Sequence, residues 1–162
     1  MNTVKPTEWL NLRGETRIIL IEPDVTKHNA AEDPVLNRLV DLMLKYSWRC
    51  LPVFASTNER YLNSLPDADT WRVLTAQADG CVVNNYSGNI SFECYLILAT
   101  LWQKNIPVLI FGDPLHDFIP YSRLAVLSDM LSFEDVLTRY KHSRSMPDYK
   151  LRIDFAMQEY KI

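Results

Sequence analysis

Apolar residues along this chain come in short runs that alternate with longer stretches in which apolar residues recur every three or four positions. The short runs have the length and the β-branched content of buried strands. Five strands are predicted in this way, over Arg17–Glu22, Cys50–Phe54, Gly80–Asn84, Pro107–Phe111 and Leu124–Leu127. Pro52 favours an edge position for the second strand, because a missing amide costs little there.

The longer stretches predict helices, and capping signals suggest where they start. The predicted helices begin at Asp33-Pro34 and run to about Ser47, follow Asp67 or Asp69 to Ala78, cover Ile90–Lys104, start near Ser132 with Asp135 in a capping-box-like pattern, and cover Asp148–Tyr160. Leu151, Phe155 and Tyr160 are expected on the apolar side of the last helix. The segment Asn85–Asn89 has the composition of a turn.

Strands that alternate with helices predict a mainly parallel sheet with helices on both faces. A flavodoxin-like three-layer sandwich with five strands in the order 2-1-3-4-5 is the simplest such α/β arrangement. The 162 residues fit a single domain over 1–162, with residues 1–15 as an N-terminal extension.

Composition excludes several classes of function. A net charge of −3 with mixed signs provides no positive field for polymeric nucleic acid. The four glycines form neither a dinucleotide-binding loop nor a P-loop, and the histidines and cysteines lack the spacing of metal ligands, so no cofactor or metal is expected. Cys50, Cys81 and Cys94 are expected as buried thiols. With no signal peptide and no span long enough for a bilayer, we expect a soluble cytoplasmic protein without membrane contact.

In parallel sheets the ligand crevice lies beyond the carboxyl ends of the strands, near the point where the strand order reverses. The polar residues at these predicted ends are Glu22, Pro23 and Asp24, then Asn84, Asn85 and Ser87, and finally Asp113. Glu93 is the only charged residue between Gly80 and Gln103, and it lies in the first turn of a mostly apolar helix. The helix dipole there favours an ionised carboxylate, as a nucleophile requires. Two interpretations stay open: Glu93 is catalytic, or it only caps its helix.

Three segments of the chain resemble the nucleoside 2-deoxyribosyltransferase family. Leu20–Pro23 is similar to the family's first strand and its proline, and Ala78–Asn85 to its third strand with the preceding Ala-Asp. Ser91–Ala99, followed by Lys104–Val108, is similar to the helix that carries a nucleophilic glutamate and to the step into strand four. The resemblance covers about the first two-thirds of the chain and implies one domain of this type.

The resemblance implies an N-glycosyl transferase or hydrolase that acts on a nucleoside, a nucleotide or a related ribosyl compound. Glu93 would attack the anomeric carbon, as in a deoxyribosyltransferase or a nucleotide N-glycosidase. The residues expected to bind sugar or base are Glu22, Pro23, Asp24, Asn84, Asn85, Ser87 and Asp113. The family's habit of forming homo-oligomers makes a second copy of the chain a candidate partner. For each binding residue an ordinary turn or loop role stays open.

A rival hypothesis comes from the positions where the chain departs from the family pattern. Tyr95 stands where the family usually has glycine, and Ser87 or Asn89 stands where it usually has an acid. These departures favour a noncatalytic module on the same fold that binds a small nucleotide or a protein.

Overall fold

The computed structural model describes residues 6–22, 34–54, 68–86, 92–114 and 123–162. Within them lie five strands: β1 (Thr16–Glu22), β2 (Trp48–Phe54), β3 (Gly80–Asn85), β4 (Val108–Gly112) and β5 (Leu124–Leu127). They form one sheet in the order β2-β1-β3-β4-β5, and every neighbouring pair is parallel. The predicted fold class and strand order are therefore confirmed, and so is the edge position of the strand that contains Pro52.

In the described residues, helices lie between β1 and β2, between β2 and β3, between β3 and β4, and after β5, as the alternating pattern predicted. The helices are α1 (Pro6–Leu10), α2 (Pro34–Lys45), α3 (Ala68–Gln77), α4 (Phe92–Gln103), α5 (Met130–His142) and α6 (Tyr149–Ala156), with a 3₁₀ helix over Gln158–Tyr160. In the described part of the chain, none of these helices has the length and apolar character needed to cross a membrane.

Alternate residues of each strand face two separate cores, because strand side chains point to opposite faces of a sheet. Ile18, Leu20 and Val82 pack with α2, α5 and α6 on one face. Ile19 and Val83 pack on the other face with residues of α1, α3 and α4. Two helical layers thus enclose the sheet and leave its two ends, where strands begin and finish, as the places where polar side chains gather.

The N-terminal residues belong to the second of these cores. Trp9 of α1 is fully buried there, and its indole Nε1 donates a hydrogen bond to the carbonyl of Arg49 at 3.1 Å. The guanidinium of Arg17 donates to the carbonyls of Trp9 and Leu12. Residues expected as an extension therefore pack against the sheet. Trp48 is buried in the first core.

The α6 prediction was wrong about which side of the helix is apolar. Leu151 and Phe155 are 45% and 54% exposed, whereas Ile153 and Ala156 are fully buried. The helix carries two competing apolar stripes, and contact with the sheet selects the one that includes Ile153.

Two predicted boundaries also need correction. The helix expected to start at Ser132 begins at Met130, because Asp129 is its N-cap and Ser132 occupies the third helical position of a capping box. Asn85 was expected in a turn, but it is the last residue of β3 and pairs with Gly112.

Candidate functional site

The carboxyl edge of the sheet brings together the ends of β1 and β3, the two strands between which the strand order reverses. Ile21 pairs with Val83, so the residues that follow them, Glu22 and Asn84, lie at the same edge. One step further, Asn85 pairs with Gly112 at the end of β4. Ligand crevices of open α/β sheets form at this location.

Asn84 and Asn85 are both buried at this edge, although they are polar. The side-chain oxygen of Asn84 accepts the backbone N–H of Tyr86 at 3.4 Å. The side-chain nitrogen of Asn85 donates to the carbonyl of Asp113 at 2.6 Å, but its oxygen, Oδ1, is buried without a hydrogen-bond partner among the described residues. Leaving a buried acceptor unpaired costs about 1–3 kcal/mol, so this atom is a candidate for binding a ligand hydroxyl or amine.

Gly112 allows the two strand ends to approach each other closely. Its φ of +104° is a conformation that favours glycine, and a Cβ atom here would lie 2.7 Å from the Asn85 carbonyl oxygen and from the Tyr86 Cα. The close approach lets the Asp113 backbone N–H donate to the Asn85 carbonyl at 3.3 Å. Asp113 is therefore held at the rim beside Asn85, with its side chain exposed.

Tyr86 adds an aromatic surface that the sequence did not suggest. Its ring is 62% exposed and lies against Phe111, with ring centres 6.2 Å apart and planes inclined by 17°. Phe111 in turn meets Phe133 edge to face at 6.0 Å. The available signal was an aromatic residue directly after the two asparagines that end β3. Because Phe111 belongs to the first core, the Tyr86 ring lies on the face of the sheet opposite to the one that Asn85 faces.

Glu93 is the second residue of α4, so its backbone lies in the first turn of the helix, as expected from the sequence. Leu98 and Leu101 of α4 pack with Val83 on the face of the sheet to which Asn85, two residues further along the strand, also points. The start of α4 and the unpaired oxygen of Asn85 are thus on the same side of the sheet.

The site residues predicted from the sequence fall into two groups. The structure brings together Asn84, Asn85 and Asp113. Pro23, Asp24 and Ser87 lie outside the described residues, as do the side chains of Glu22 and Glu93.

Among the described residues, no three His, Cys, Asp or Glu side chains cluster as metal ligands. Cys50 and Cys81 are buried thiols, and burial raises the pKa of Cys50 to about 12. Cys50 is therefore protonated near neutral pH and is no candidate nucleophile.

Comparison with known proteins adds no family assignment: no family model matches the chain, and no curated protein matches it.

Proposed function

We propose that the protein transfers or hydrolyses the N-glycosyl group of a nucleoside or nucleotide, with Glu93 as the nucleophile. The observation that carries this proposal is the buried, unpaired Oδ1 of Asn85 on the side of the sheet covered by α4, the helix whose second residue is Glu93. An acceptor in this position suits a sugar hydroxyl or the exocyclic amine of a base.

The chemistry follows from a carboxylate at a helix N-terminus. The helix dipole favours the ionised form, and an oxygen of Glu93 attacks the anomeric carbon. The carbon–nitrogen bond breaks, and its electron pair leaves with the base, which takes up a proton from water. Water in a hydrolase, or the nitrogen of a second base in a transferase, then attacks the anomeric carbon of the glycosyl ester and restores the Glu93 carboxylate.

The residues around this carbon have separate proposed roles. Asn84, Asn85 and Asp113 bind sugar hydroxyls or the base. The sequence-based candidates Glu22, Pro23, Asp24 and Ser87 complete the proposed substrate site from the neighbouring strand ends.

The rival proposal, a noncatalytic nucleotide- or protein-binding module, is favoured by the residues that follow Glu93 in α4. Tyr95 is half-buried and Ile97 is buried, so the helix carries bulk where the resembled family has a small residue. Under this proposal the same edge binds a ligand that it does not cleave.

The test measures release of free base from a panel of nucleosides and nucleotides. Glu93→Ala should lower the rate by roughly 10⁴-fold, the scale seen when a nucleophile or its partner is removed. Asp69→Asn is the matched control, because Asp69 is likewise an acid at the second position of a helix, in α3. It should leave the rate unchanged.

The outcomes separate the two proposals. Base release by wild type, together with an intact mass increased by one glycosyl group that Glu93→Ala lacks, supports the enzyme. Binding without base release supports the noncatalytic module. Activity that survives in Glu93→Ala contradicts the role of Glu93.

A further inference from the structure

A cavity of about 400 Å³ lies at the opposite end of the sheet from the proposed catalytic edge. It is bounded by Gly14 and Thr16 before and at the start of β1, by Ser47 before β2, and by residues of α2, α5 and α6. This volume is in the range of small-molecule sites. Ligands of parallel sheets usually bind beyond the carboxyl ends of the strands, and this cavity lies at the amino ends, so that rule does not explain it.

The side chains around the cavity are strongly cationic. Lys45, Lys141, Arg144 and Arg152 line it, and no carboxylate does. The chain as a whole has a net charge of −3, so this concentration does not reflect composition. Among the described residues none of the four forms an ion pair with a carboxylate, whereas five other basic residues do, namely Arg49, Arg72, Arg123, Arg139 and Lys161.

Favourable interaction with helix C-termini explains only some of these charges. Lys45 ends α2 and Lys141 lies in the last turn of α5, where positive charge is favoured. Arg152, however, lies in the first turn of α6, where the helix dipole disfavours a cation.

Arg152 is held in place by contacts that leave its charge uncompensated. Its Nη2 donates to the carbonyl of Tyr140 at 2.8 Å, and its guanidinium carbon lies 3.9 Å from the centre of the Tyr140 ring and 5.7 Å from that of Tyr149. Its Nε–H is buried and has no hydrogen-bond partner in the part of the chain that the structure describes. The result is an oriented guanidinium with a donor still free.

The acids close to this wall are engaged elsewhere. Asp148 accepts the backbone N–H groups of Lys150 and Leu151 as the N-cap of α6. Asp79 interacts electrostatically with Tyr140, and its carboxylate accepts the backbone N–H of Arg17 at 2.8 Å. Neither acid lines the cavity.

The wall of the cavity is also well ordered by hydrogen bonds. The hydroxyl groups of Thr16 and Tyr140 are bonded to each other, and the Thr16 backbone N–H donates to the Ser47 carbonyl at 2.9 Å. The Tyr140 ring contacts Trp48 edge to face at 5.1 Å. A preformed wall lowers the entropic cost of binding.

We propose that this cavity binds a small anion with one or more phosphate groups, independently of the catalytic edge. Four cations without a lining carboxylate favour a multiply charged anion, and a guanidinium matches the oxygens of a phosphate in pairs. The Tyr46 and Tyr149 side chains at the cavity add hydroxyl donors and aromatic surface beside that anion.

The test is titration calorimetry of the full chain with sodium diphosphate. Lys141 and Arg144 are exposed, so the double substitution Lys141→Gln, Arg144→Gln should leave the fold intact. Each lost charge-assisted contact weakens binding about tenfold, so the double variant should bind diphosphate roughly 100-fold more weakly than wild type. The control is Arg38→Gln, Lys104→Gln, which changes the net charge equally at exposed positions outside the cavity and should bind as wild type does.

Two further arms identify the recognised group and the site. ADP should compete with diphosphate, whereas adenosine should not, because the phosphate carries the recognition. Glu93→Ala should bind diphosphate as wild type does, so this proposal can be tested independently of the proposed glycosyl transfer or hydrolysis. The proposal is overturned by absent binding in wild type, by equal weakening in both double variants, by adenosine displacing diphosphate as well as ADP does, or by binding that depends on Glu93.

Discussion

Buried polar atoms without a hydrogen-bond partner among the described residues occur at both ends of the sheet. At the carboxyl edge lies Asn85 Oδ1, an acceptor, whereas the unpaired atoms at the amino edge include three donors, the Nε–H of Arg152 and, at the start of β2, the Nε1–H of Trp48 and the Nε–H of Arg49. A buried neutral acceptor suits a hydroxyl or amine of a sugar or base, whereas a cationic donor among other cations suits an anion. One sheet thus presents two chemically distinct surfaces.

The edges also differ in how their backbones are fixed. At the amino edge the turns before β1 and β2 are joined through Thr16 and Ser47, and Asp79 accepts the N–H of Arg17. At the carboxyl edge the ends of β3 and β4 are held by the close approach at Gly112. We therefore expect steric fit to decide stability at the carboxyl edge and hydrogen bonding to decide it at the amino edge.

The largest expected effect on stability comes from a methyl group added at the carboxyl edge, and a methyl group added at the amino edge is its comparison. Gly112→Ala should destabilise the protein by roughly 3 kcal/mol or more, because a strained φ and a clash with neighbouring backbone act together. Gly14→Ala should cost only about 1 kcal/mol, because its φ is +71° but nothing lies within 4 Å of the added Cβ. Urea unfolding measures both, and equal costs would show that steric fit does not distinguish the edges.

A pH-dependent effect is expected from Asp79 at the amino edge. Burial raises its pKa from 3.8 to about 6, although the backbone N–H and charge of Arg17 and the charge of Lys150 oppose this. Below pH 3.8 the folded and unfolded chains both hold the proton. As the pH rises through 6 the folded chain must ionise a buried carboxyl, so the stabilisation that the proton provides at lower pH is lost.

Asp79→Asn should therefore stabilise the protein by roughly 1–3 kcal/mol at pH 7.5 and by much less at pH 4, because the amide stays neutral and still accepts the Arg17 N–H. Urea unfolding of wild type and variant at the two pH values measures the difference. A gain of the same size at both values would mean that ionisation of Asp79 is not its cause.

The hydroxyl pair at the amino edge should show a smaller, coupled effect. Tyr140→Phe leaves the buried Thr16 hydroxyl without its partner and should cost about 1–2 kcal/mol. Thr16→Val, Tyr140→Phe removes both polar groups, so its cost should be less than the sum of the two single substitutions. A double-mutant cycle by urea unfolding measures the coupling, and additive costs would contradict the pairing.

The fold was predictable because the strands are nearly continuous apolar runs, and Leu124–Leu127 has the same bounds in the structure as in the prediction. Local chemistry could not decide between the two apolar stripes of α6, because burial of Ile153 rather than Leu151 depends on what the helix packs against. The capping of α5 was misassigned because Asp129 and Ser132 bond reciprocally, and either can be taken for the cap.

The two candidate sites also differ in how far the sequence predicts them. The rule that ligands bind at strand ends led from the sequence to Asn84, Asn85 and Asp113, but it gave no reason to select Tyr86. The amino-edge cavity has no equivalent rule, because its lining comes from four separate segments, around residues 14–16, 45–47, 140–144 and 149–152. In the sequence, the basic segment from Lys141 to Arg144 is explained by its place at the end of a helix, where positive charge is favoured, and only the packing of α6 beside it reveals the shared cavity.

The smallest expected effect on stability comes from Asn85, whose side-chain oxygen is the proposed acceptor for the substrate at the carboxyl edge. Asn85→Leu removes an unpaired buried oxygen together with one hydrogen bond, to the carbonyl of Asp113, which lies at the exposed rim where water can replace it. The free energy of unfolding should change by no more than about 1 kcal/mol, because losing the unpaired atom offsets losing the bond. Release of free base should nevertheless fall.

Asn84→Leu is the comparison for this last substitution. Asn84 is equally buried, but its oxygen accepts the Tyr86 N–H, so the change should destabilise the protein more than Asn85→Leu does. Urea unfolding and base release of both variants decide the matter. If Asn85→Leu is the more destabilising and base release is unchanged, the oxygen of Asn85 is structural. The carboxyl edge then loses the acceptor that sets it apart from the cationic amino edge.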